Sequence, residues 1–440
     1  MLRSLANFKN AFRALAHRNY RLFFIGQGLS LIGTWMQNIA LSWLVYRITN
    51  SVMLLGVVGF LGQIMIFLFG PFAGAIADRF DRRRIVIATQ TLAMLQAFVL
   101  AVLVYTDTIA VWQIMVLSLF LGFILSFDAP TRQSFVVEMI DNKKDLSNAI
   151  ALNSSIFNGA RLIGPAVAGV MIASLGEGLC FLINGISYLC VIVSLLMMRI
   201  KPRHERPTAK KIFNEIREGF AYAYRFAPIR YIILLLGMIS LLGMPYTVLM
   251  PVFARDVLHG GPQTLGFLMG AAGIGALGGA LYMASRRNVV GLGGLIAFSS
   301  SVFSLGLLAL AFSRAEWLAL LVMAVIGFGM IMHMASSNTL LQTIVEEDKR
   351  GRVMSLYTMA FLGMTPFGSL IAGGIADRFG IRAALSGCGL ACLLCVGGYM
   401  LVLPEIRKKV RPIYIKMGIV PEVATAIQTV SELTSVVEKE

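Results

Sequence analysis

Long apolar stretches alternate with short polar ones along most of the chain. Twelve of the apolar stretches reach the roughly 20 residues that a helix needs to cross a bilayer. The first is too long for a cleaved signal peptide, continues into Arg47 and lacks a small-residue cleavage site. The pattern therefore predicts an all-α membrane protein with twelve transmembrane helices. The predicted helices are 21–46, 52–77, 85–105, 109–129, 149–174, 179–199, 231–253, 264–284, 289–312, 317–336, 353–376 and 381–403.

One long polar stretch in the middle of the chain separates six of these helices from the other six. Within it, basic residues alternate at helical spacing with apolar ones such as Ile216 and Phe220, which predicts an amphipathic helix on the membrane surface. The predicted segments are a basic N-terminal segment (1–20), an N-terminal half (21–199), a linker with the amphipathic helix (200–230), a C-terminal half (231–403) and a tail (404–440).

The two halves repeat each other at an offset of 204 residues. The matches fall in loops and in helices alike, which predicts two pseudo-symmetric six-helix halves related by an axis along the membrane normal, as in some secondary transporters. The matched pairs are Gly74 with Gly278, Arg82 with Arg286, Arg83 with Arg287, Gly159 with Gly363, Gly164 with Gly368, Gly169 with Gly373 and Gly176 with Gly380.

Composition excludes a soluble enzyme. Of the 440 residues, 58% are hydrophobic and 14% are charged, whereas a soluble domain carries about 25% charged residues. The polar stretches are too short for an independent soluble domain. The five cysteines lie in apolar runs, where packing is the expected role rather than metal binding. No metal site and no cofactor is predicted.

The charge distribution predicts the orientation in the membrane. The chain has 38 Lys and Arg against 22 Asp and Glu. When the basic residues are assigned to alternate sides, 32 fall on the side of the N terminus and five on the other. The positive-inside rule then places both termini in the cytoplasm. The basic residues form no patch interleaved with polar aromatics, so the lipid bilayer, not nucleic acid, is the predicted partner.

The most specific motif occupies residues 74–84 and reads GAIADRFDRRR. It resembles the major facilitator superfamily signature Gly-x-x-x-Asp-Arg-x-Gly-Arg-Arg, with Asp81 in place of the second glycine. In that superfamily the cluster holds the two halves together on the cytoplasmic side, and Asp128 is the nearest acidic residue to receive an arginine. Alternatively, the arginines only anchor the loop in the cytoplasm. The implied latch residues are Gly74, Asp78, Arg79, Arg82, Arg83 and Asp128.

Further segments narrow the resemblance to one branch. Residues 127–134, 148–155 and 161–169 look like the transmembrane secretion effector branch, which includes exporters of the siderophore enterobactin and of macrolides. The resemblance covers residues 10–405 and implies a bacterial inner-membrane protein. A Gly-Pro pair in the fifth helix resembles the antiporter motif of the superfamily, although a packing groove alone would explain the glycines. The residues of this helix-5 motif are Gly159, Gly164, Pro165 and Gly169.

Polar groups at membrane depth are the candidate functional residues, because each needs a partner in hydrocarbon. Arg161, near the middle of the fifth helix, costs about 2.5–3.5 kcal/mol there and is expected to meet either an anionic substrate or a structural carboxylate. Asp128 and His333 are the candidates for proton coupling, with structural roles as the alternative. The other candidate substrate contacts are Gln37, Asn38, Gln63, Asn158 and Tyr246.

These observations favour a secondary active transporter. The chain has no GxxxxGK[ST] motif and no nucleotide-binding domain that would drive a pump, nor a visible nucleophile–base pair of an enzyme. The predicted function is export of a small amphipathic molecule, siderophore or drug-like, by a monomer that alternates access and exchanges protons. The alternative is a transporter-like scaffold or lipid-handling protein that moves no soluble solute.

Overall fold

The structure is a computed structural model that describes residues 12–200, 212–286, 288–347 and 349–420. Within these ranges it consists of helices and short connections, with no strand. Four parts of the sequence prediction lie outside the described residues: the start of the N-terminal segment (1–11), residues 201–211 of the linker, the end of the tail (421–440), and Arg287. The surroundings of Gly74 and the side chain of Asp78 also lie outside them.

Six long helices form the N-terminal half. Short 3-10 turns occur at Arg13–Ala16, Val136–Met139 and Lys143–Asp145. The long helices are α1 (Arg18–Thr49), α2 (Val52–Arg79), α3 (Arg82–Tyr105), α4 (Val111–Phe135), α5 (Leu146–Leu175) and α6 (Glu177–Met197).

The C-terminal half follows an amphipathic helix in the linker, as the sequence predicts. Its helices α8 and α9, with the π-helical turn Phe253–Val257, cross the bundle as one span. In chain order the helices are α7 in the linker (Ile212–Arg225), α8 (Ala227–Leu242), α9 (Tyr246–Val252), α10 (Pro262–Ser285), α11 (Leu292–Phe312), α12 (Glu316–Ile344), α13 (Arg350–Phe379) and α14 (Ile381–Lys416).

The number of candidate spans is consistent with the predicted twelve. Eleven of the described helices or helix runs are long and apolar enough to span a membrane. Helix α1 is not among them: its 32 residues are more than a span requires, but they include polar side chains such as Gln27 and Gln37. The all-α architecture predicted from the apolar pattern is confirmed.

The internal repeat is visible in the helix boundaries. Helices α5 and α13 begin at Leu146 and Arg350, which lie at the offset of the sequence repeat. Both helices end at a glycine with φ of +83°, Gly176 and Gly380, a conformation that side chains with a Cβ rarely adopt. Residues 374–380 share the sequence Ile-Ala-Asp-Arg-Phe with the motif at 74–84, and they form the end of α13 and its glycine cap.

The bundle has two ends of different composition. One end carries the turns after α2, α4 and α6 and most of the Lys and Arg residues, and we call it the basic end. The other end carries the turns at Asn50, Gly176 and Gly380, and we call it the opposite end. At the basic end, Asp81 caps α3 by accepting a hydrogen bond from the Arg84 N–H at 3.2 Å. The residue that departs from the superfamily signature therefore supplies a helix cap.

The two halves meet through glycine contacts near the opposite end. A Cβ added to Gly169 of α5 would lie 2.6 Å from the Pro262 carbonyl oxygen of α10. A Cβ added to Gly56 of α2 would lie 2.6 Å from the Ser369 carbonyl oxygen of α13. Such close backbone approach requires small residues, so Gly169 and Gly56 serve the packing between the halves in this conformation.

Two predicted boundaries differ from the structure. The seventh predicted helix (231–253) is broken at residues 243–245, because Pro245 lacks a backbone N–H and Gly243 favours no helix. The last predicted helix ends at 403, yet α14 continues through Pro404 to Lys416. The Tyr414 hydroxyl, which donates to the Val289 carbonyl at 3.2 Å, fixes this extension to the C-terminal half.

Packing between α10 and α12 is predicted to tolerate no side chain at Gly275. A Cβ there would lie 1.7 Å from the Ala324 carbonyl oxygen, and overpacking of this kind costs about 1–3 kcal/mol. Gly275→Ala should therefore lower the melting temperature of the detergent-purified protein, followed by tryptophan fluorescence. The control is Gly397→Ala in α14, where a Cβ meets nothing within 4 Å. Equal melting temperatures for the two variants would contradict this packing.

Candidate functional site

A cleft opens between the halves toward the basic end. On α5, the face that touches α10 at Gly169 and Leu162 continues toward the basic end through Ser155 and Ala151, which are both exposed. On α10, Ala284 lies beyond the contact on the matching face and is also exposed. The two helices therefore touch near the opposite end and separate toward the basic end.

The second pair of contact helices behaves in the same way. Gly373 of α13 lies against Gly56 of α2, where an added Cβ would be 3.1 Å from the Gly56 Cα. Farther along the same face of α13, Leu362 is 39% exposed and Ser355 is exposed. The pseudo-symmetric pairs thus bound a cleft that is closed at the opposite end and open at the basic end.

Arg161 lies midway along α5, where the two halves begin to separate. Its guanidinium carbon is 5.9 Å from the centre of the Trp35 ring on α1. Its Nη2 is 3.6 Å from the Met330 sulfur on α12. No carboxylate among the described residues forms an ion pair with it. The structural salt bridge considered from sequence is therefore not made in this conformation.

Tyr246 completes this central group from the C-terminal half. It begins α9, directly after the break in the span, and its ring packs edge-on against Phe303 with centroids 6.2 Å apart. The hydroxyl is buried without a hydrogen-bond partner, and the Arg161 guanidinium lies beside it without an aligned bond. Discontinuous helices of this kind mark binding sites in many transporters.

The remaining polar candidates divide by position. The Gln37 amide is buried and bonded within the N-terminal half, donating to Gln96 at 3.0 Å and accepting from Asn184 at 2.8 Å. The structure thus does not bring Gln37 to the cleft. Asn38, three residues after Trp35 and therefore on the same side of α1, is exposed.

Two further candidates show intermediate exposure. Gln63 lies on α2. Asn158 donates to the Ser154 carbonyl of its own helix at 2.8 Å. Arg161, Asn38 and Tyr246 are therefore better placed for a ligand than Gln37.

Polar contacts join the halves at the opposite end. The Tyr46 hydroxyl of α1 donates to the Asp256 carboxylate at 2.5 Å, and Arg255 donates to the Asn50 side chain at 2.9 Å. The Arg255 guanidinium also lies 5.5 Å from the centre of the Tyr46 ring. We call these four residues the outer clasp. Sequence reasoning missed it, although Arg255 is one of only five basic residues on that side.

At the basic end, an arginine of the motif pairs with an acid that sequence reasoning did not single out. Arg82 donates to the Glu138 carboxylate at 3.0 Å and to the Ser134 carbonyl at 3.1 Å. Asp128 forms its ion pair with Arg132, one turn away at 3.2 Å. The role of Asp128 in the latch stays a prediction, and Glu138, on the 3-10 turn after α4, is the carboxylate beside Arg82 in this conformation.

The other motif residues bind within their own half or face outward. Arg83 donates to the carbonyls of Leu195 and Leu196 at 2.9 and 3.0 Å, and Arg79 is exposed. In the helix-5 motif, a Cβ on Gly164 would lie 2.5 Å from the Trp35 Cβ, whereas one on Gly159 would meet nothing within 4 Å. Gly164 thus allows α1 and α5 to approach.

Pro165 follows Gly164 inside α5 and is buried. A proline in this position removes a backbone hydrogen bond. The Pro165 carbonyl oxygen lies close to α10, since a Cβ added to Gly266 would be 2.5 Å from it.

The two candidates for proton coupling have different surroundings. The Asp128 carboxylate is buried and accepts hydrogen bonds from Thr89 at 2.8 Å and Gln90 at 2.9 Å. His333 of α12 is also buried, and its Nδ1 lies 2.7 Å from the Ser300 hydroxyl. Its Nε2 has no hydrogen-bond partner. Each residue thus keeps one buried atom without a hydrogen bond, the Asp128 Oδ2 and the His333 Nε2, but the Asp128 Oδ2 lies 3.2 Å from an Arg132 nitrogen in an ion pair.

Comparison with known proteins gives consistent matches over nearly the whole chain. A model of the transmembrane secretion effector family matches residues 9–429. The chain is 28% identical to the staphyloferrin A transporter of Staphylococcus aureus, covering 85% of this chain and 93% of that protein. It is 25% identical to the multidrug efflux pump Tap of Mycolicibacterium fortuitum, covering 86% and 93%. It is 22% identical to macrolide efflux protein A of Streptococcus pyogenes, covering 89% and 98%.

Solved structures share the fold. A bacterial homolog of the human lysosomal transporter Spinster superposes with a TM-score of 0.70 at 14% identity, covering 89% of this chain and 98% of that one. A POT family transporter superposes with a TM-score of 0.72 at 11% identity, covering 88% and 96%. At this identity the likeness concerns the fold alone.

Loss of the outer clasp is predicted to loosen the opposite end. Tyr46→Phe removes the hydrogen bond to Asp256 but keeps the ring, and hydrogen bonds to charged groups contribute about 1.5–3 kcal/mol. A cysteine placed at Ser369, which is buried beside Gly56, should then react several-fold faster with a maleimide in an otherwise cysteine-free protein. Tyr105→Phe, at the same end and packed on Gly178, is the control. An unchanged labelling rate in Tyr46→Phe would show that the outer clasp does not help to keep this end closed.

Proposed function

Because this chain belongs to the transmembrane secretion effector family of the major facilitator superfamily, we propose that it is a secondary active transporter that exports a small amphipathic molecule. The observation that carries the proposal is the cleft between two pseudo-symmetric halves, closed at one end and leading to Arg161 at mid-depth. The names of three relatives denote a transporter of a siderophore and exporters of drugs and macrolides.

Transport proceeds by alternating access in this proposal. The basic end faces the cytoplasm of a bacterial inner membrane, in line with the positive-inside rule, so the present conformation is open to the inside. The solute enters from the cytoplasm, the halves close at the basic end, and the glycine contacts and the outer clasp separate. Both termini are then cytoplasmic, and one chain is sufficient, because the cleft lies within it.

Substrate contacts are assigned to the central group. Arg161, Tyr246 and Asn38 line the cleft in this proposal, and Gln63 and Asn158 contribute once the halves have moved. Gln37 supports the site from behind, because its bonds to Gln96 and Asn184 fix α1 against α3 and α6.

The residues 74–84 act as the inner latch. In the outward-open state, Asp78, Arg79, Arg82 and Arg83 would hold the basic ends of the halves together, as the resemblance implies. The bonds of Arg83 in the present conformation lie within its own half, which supports an open latch. Glu138 is the acid from which Arg82 would have to be released.

Proton entry drives export in this proposal. His333 is the favoured carrier, because its buried Nε2 has no hydrogen-bond partner and the residue forms no ion pair among the described residues. Asp128 is a less suitable carrier, because three neighbouring side chains stabilise its charged form. It is assigned to the support of the basic end, with coupling as its second role.

Reconstituted protein is expected to accumulate solute in inside-out vesicles with an acidic interior. The probes are radiolabelled staphyloferrin A and erythromycin, chosen from the names of the relatives. Accumulation of at least one probe should collapse when a protonophore removes the gradient, and protein-free liposomes are the control. Accumulation of neither probe, together with scrambling of labelled lipid, would refute export and favour the lipid-handling alternative.

Coupling is expected to depend on His333. His333→Gln should reduce gradient-driven accumulation at least tenfold while exchange of internal for external solute without a gradient continues, since exchange needs no net proton movement. His259→Asn, on an exposed turn at the opposite end, is the matched control. Asp128→Asn should instead lower stability, because Arg132 loses its partner. If solute accumulation in the double variant with His333→Gln and Asp128→Asn still depends fully on the proton gradient, neither residue is the proton carrier.

A further inference from the structure

The central arginine carries a charge that the protein leaves without a counter-ion. Arginine keeps its charge at any accessible pH, and a charged side chain at the bilayer centre costs about 2.5–3.5 kcal/mol. Arg161 is partly exposed, and charged side chains inside a span normally face a cavity and pair with one another or with backbone carbonyls. Among the described residues Arg161 has no carboxylate partner, so its environment is incomplete in this conformation.

The donors around this charge are also incomplete. A guanidinium has five N–H donors, and among the described residues this one makes a single aligned hydrogen bond, at 3.6 Å to the thioether sulfur of Met330, which is a weak acceptor. The Tyr246 hydroxyl beside it is 1% exposed and has no hydrogen-bond partner. Two donors from opposite halves thus lack an acceptor at the same place.

The surrounding charges disfavour a cation at this position. Asp128 is the one acidic side chain well inside a span among the described residues, and it is bound to Arg132. Asp256 lies at the opposite end and accepts from Tyr46. The central group therefore presents a net positive charge with no acid to balance a cationic solute.

The remaining walls suit a flat apolar body. The Trp35 ring stacks edge-on with Phe157, with centroids 6.0 Å apart, and Phe157 is 47% exposed. Met330 adds an adaptable thioether surface. Trp35 and Met330 contact the guanidinium directly, and Phe157, one turn from Arg161 toward the basic end, extends this apolar surface through Trp35.

We propose that Arg161 and Tyr246 form a carboxylate-recognition site, and that the transported solutes are amphipathic organic anions. The two carboxylate oxygens each accept a hydrogen bond from the guanidinium, a bidentate geometry that arginine favours. One of the oxygens also accepts a hydrogen bond from the Tyr246 hydroxyl through its remaining lone pair. The apolar part of the solute lies against Trp35, Phe157 and Met330. The inference rests on the proposed export function, because it specifies the solute of that same cleft.

The test compares two probes that differ in charge alone. Pyrenebutyrate carries a carboxylate, and pyrenebutanol carries a neutral hydroxyl on the same apolar body. Binding to the purified full-length protein is followed by energy transfer from tryptophan to pyrene, since Trp35 lies at the site. The wild-type protein should bind the acid at least tenfold more tightly than the alcohol, because hydrogen bonds to a charged group are among the stronger ones in proteins.

The variants assign this preference to individual groups. Arg161→Gln should abolish the preference by weakening binding of the acid alone, and Arg161→Lys should restore part of it. Tyr246→Phe should reduce it several-fold while binding of the alcohol stays unchanged. Arg314→Gln, which removes an exposed guanidinium at the opposite end outside the outer clasp, is the control and should keep the full preference.

The outcomes separate this inference from the proposed function. Absence of acid preference in the wild-type protein, including absence of binding, would overturn it, and so would a preference retained in Arg161→Gln. The wild-type comparison decides the matter even where a variant fails to fold. Acid-selective binding without any transport in vesicles would leave the recognition site standing and refute export.

Discussion

The arrangement of the halves depends on close backbone contact between α5 and α10 and between α2 and α13. Apolar side chains gain little from leaving lipid for protein, so helices in a membrane need close packing to associate. Gly169 and Gly56 supply that packing near the opposite end. The backbones approach most closely at these glycines, and toward the basic end the same helices separate and leave the cleft. The outer clasp adds a directional hydrogen bond, from Tyr46 to Asp256, to an interface that is otherwise held by non-directional packing.

Hydropathy and the repeat predicted most of the fold. The starts of α5 and α13, Leu146 and Arg350, lie at the offset of the sequence repeat, because duplicated helices keep their lengths. The break after Leu242 was missed because residues 231–253 are apolar without interruption, so a hydropathy pattern cannot register it. Gly243 and Pro245 carried the signal. The end of α14 was missed for the converse reason, since a helix can continue after its apolar stretch has ended.

The sequence predicted how deep the site residues lie in the membrane, but not which side chains they contact. The sequence places Arg161 at the middle of its span, since depth follows from position along a helix. It cannot tell that Gln37 would find Gln96 and Asn184, because those contacts depend on how α1 turns against α3 and α6. Glu138 was overlooked for the same reason. It lies on a 3-10 turn, and the spacing of apolar residues in the sequence does not show which way such a turn directs its side chains. Sequence therefore identifies which polar groups need partners, and only packing decides which partners they receive.

The extension of α14 beyond its apolar stretch is attached to the C-terminal half. From Pro404 to Lys416 it runs about 18 Å at the usual rise per residue, and Tyr414 ties it to the loop before α11 through Val289. Any displacement of the C-terminal half would therefore carry the end of α14 with it, because the hydrogen bond of Tyr414 holds the end of the helix to that half.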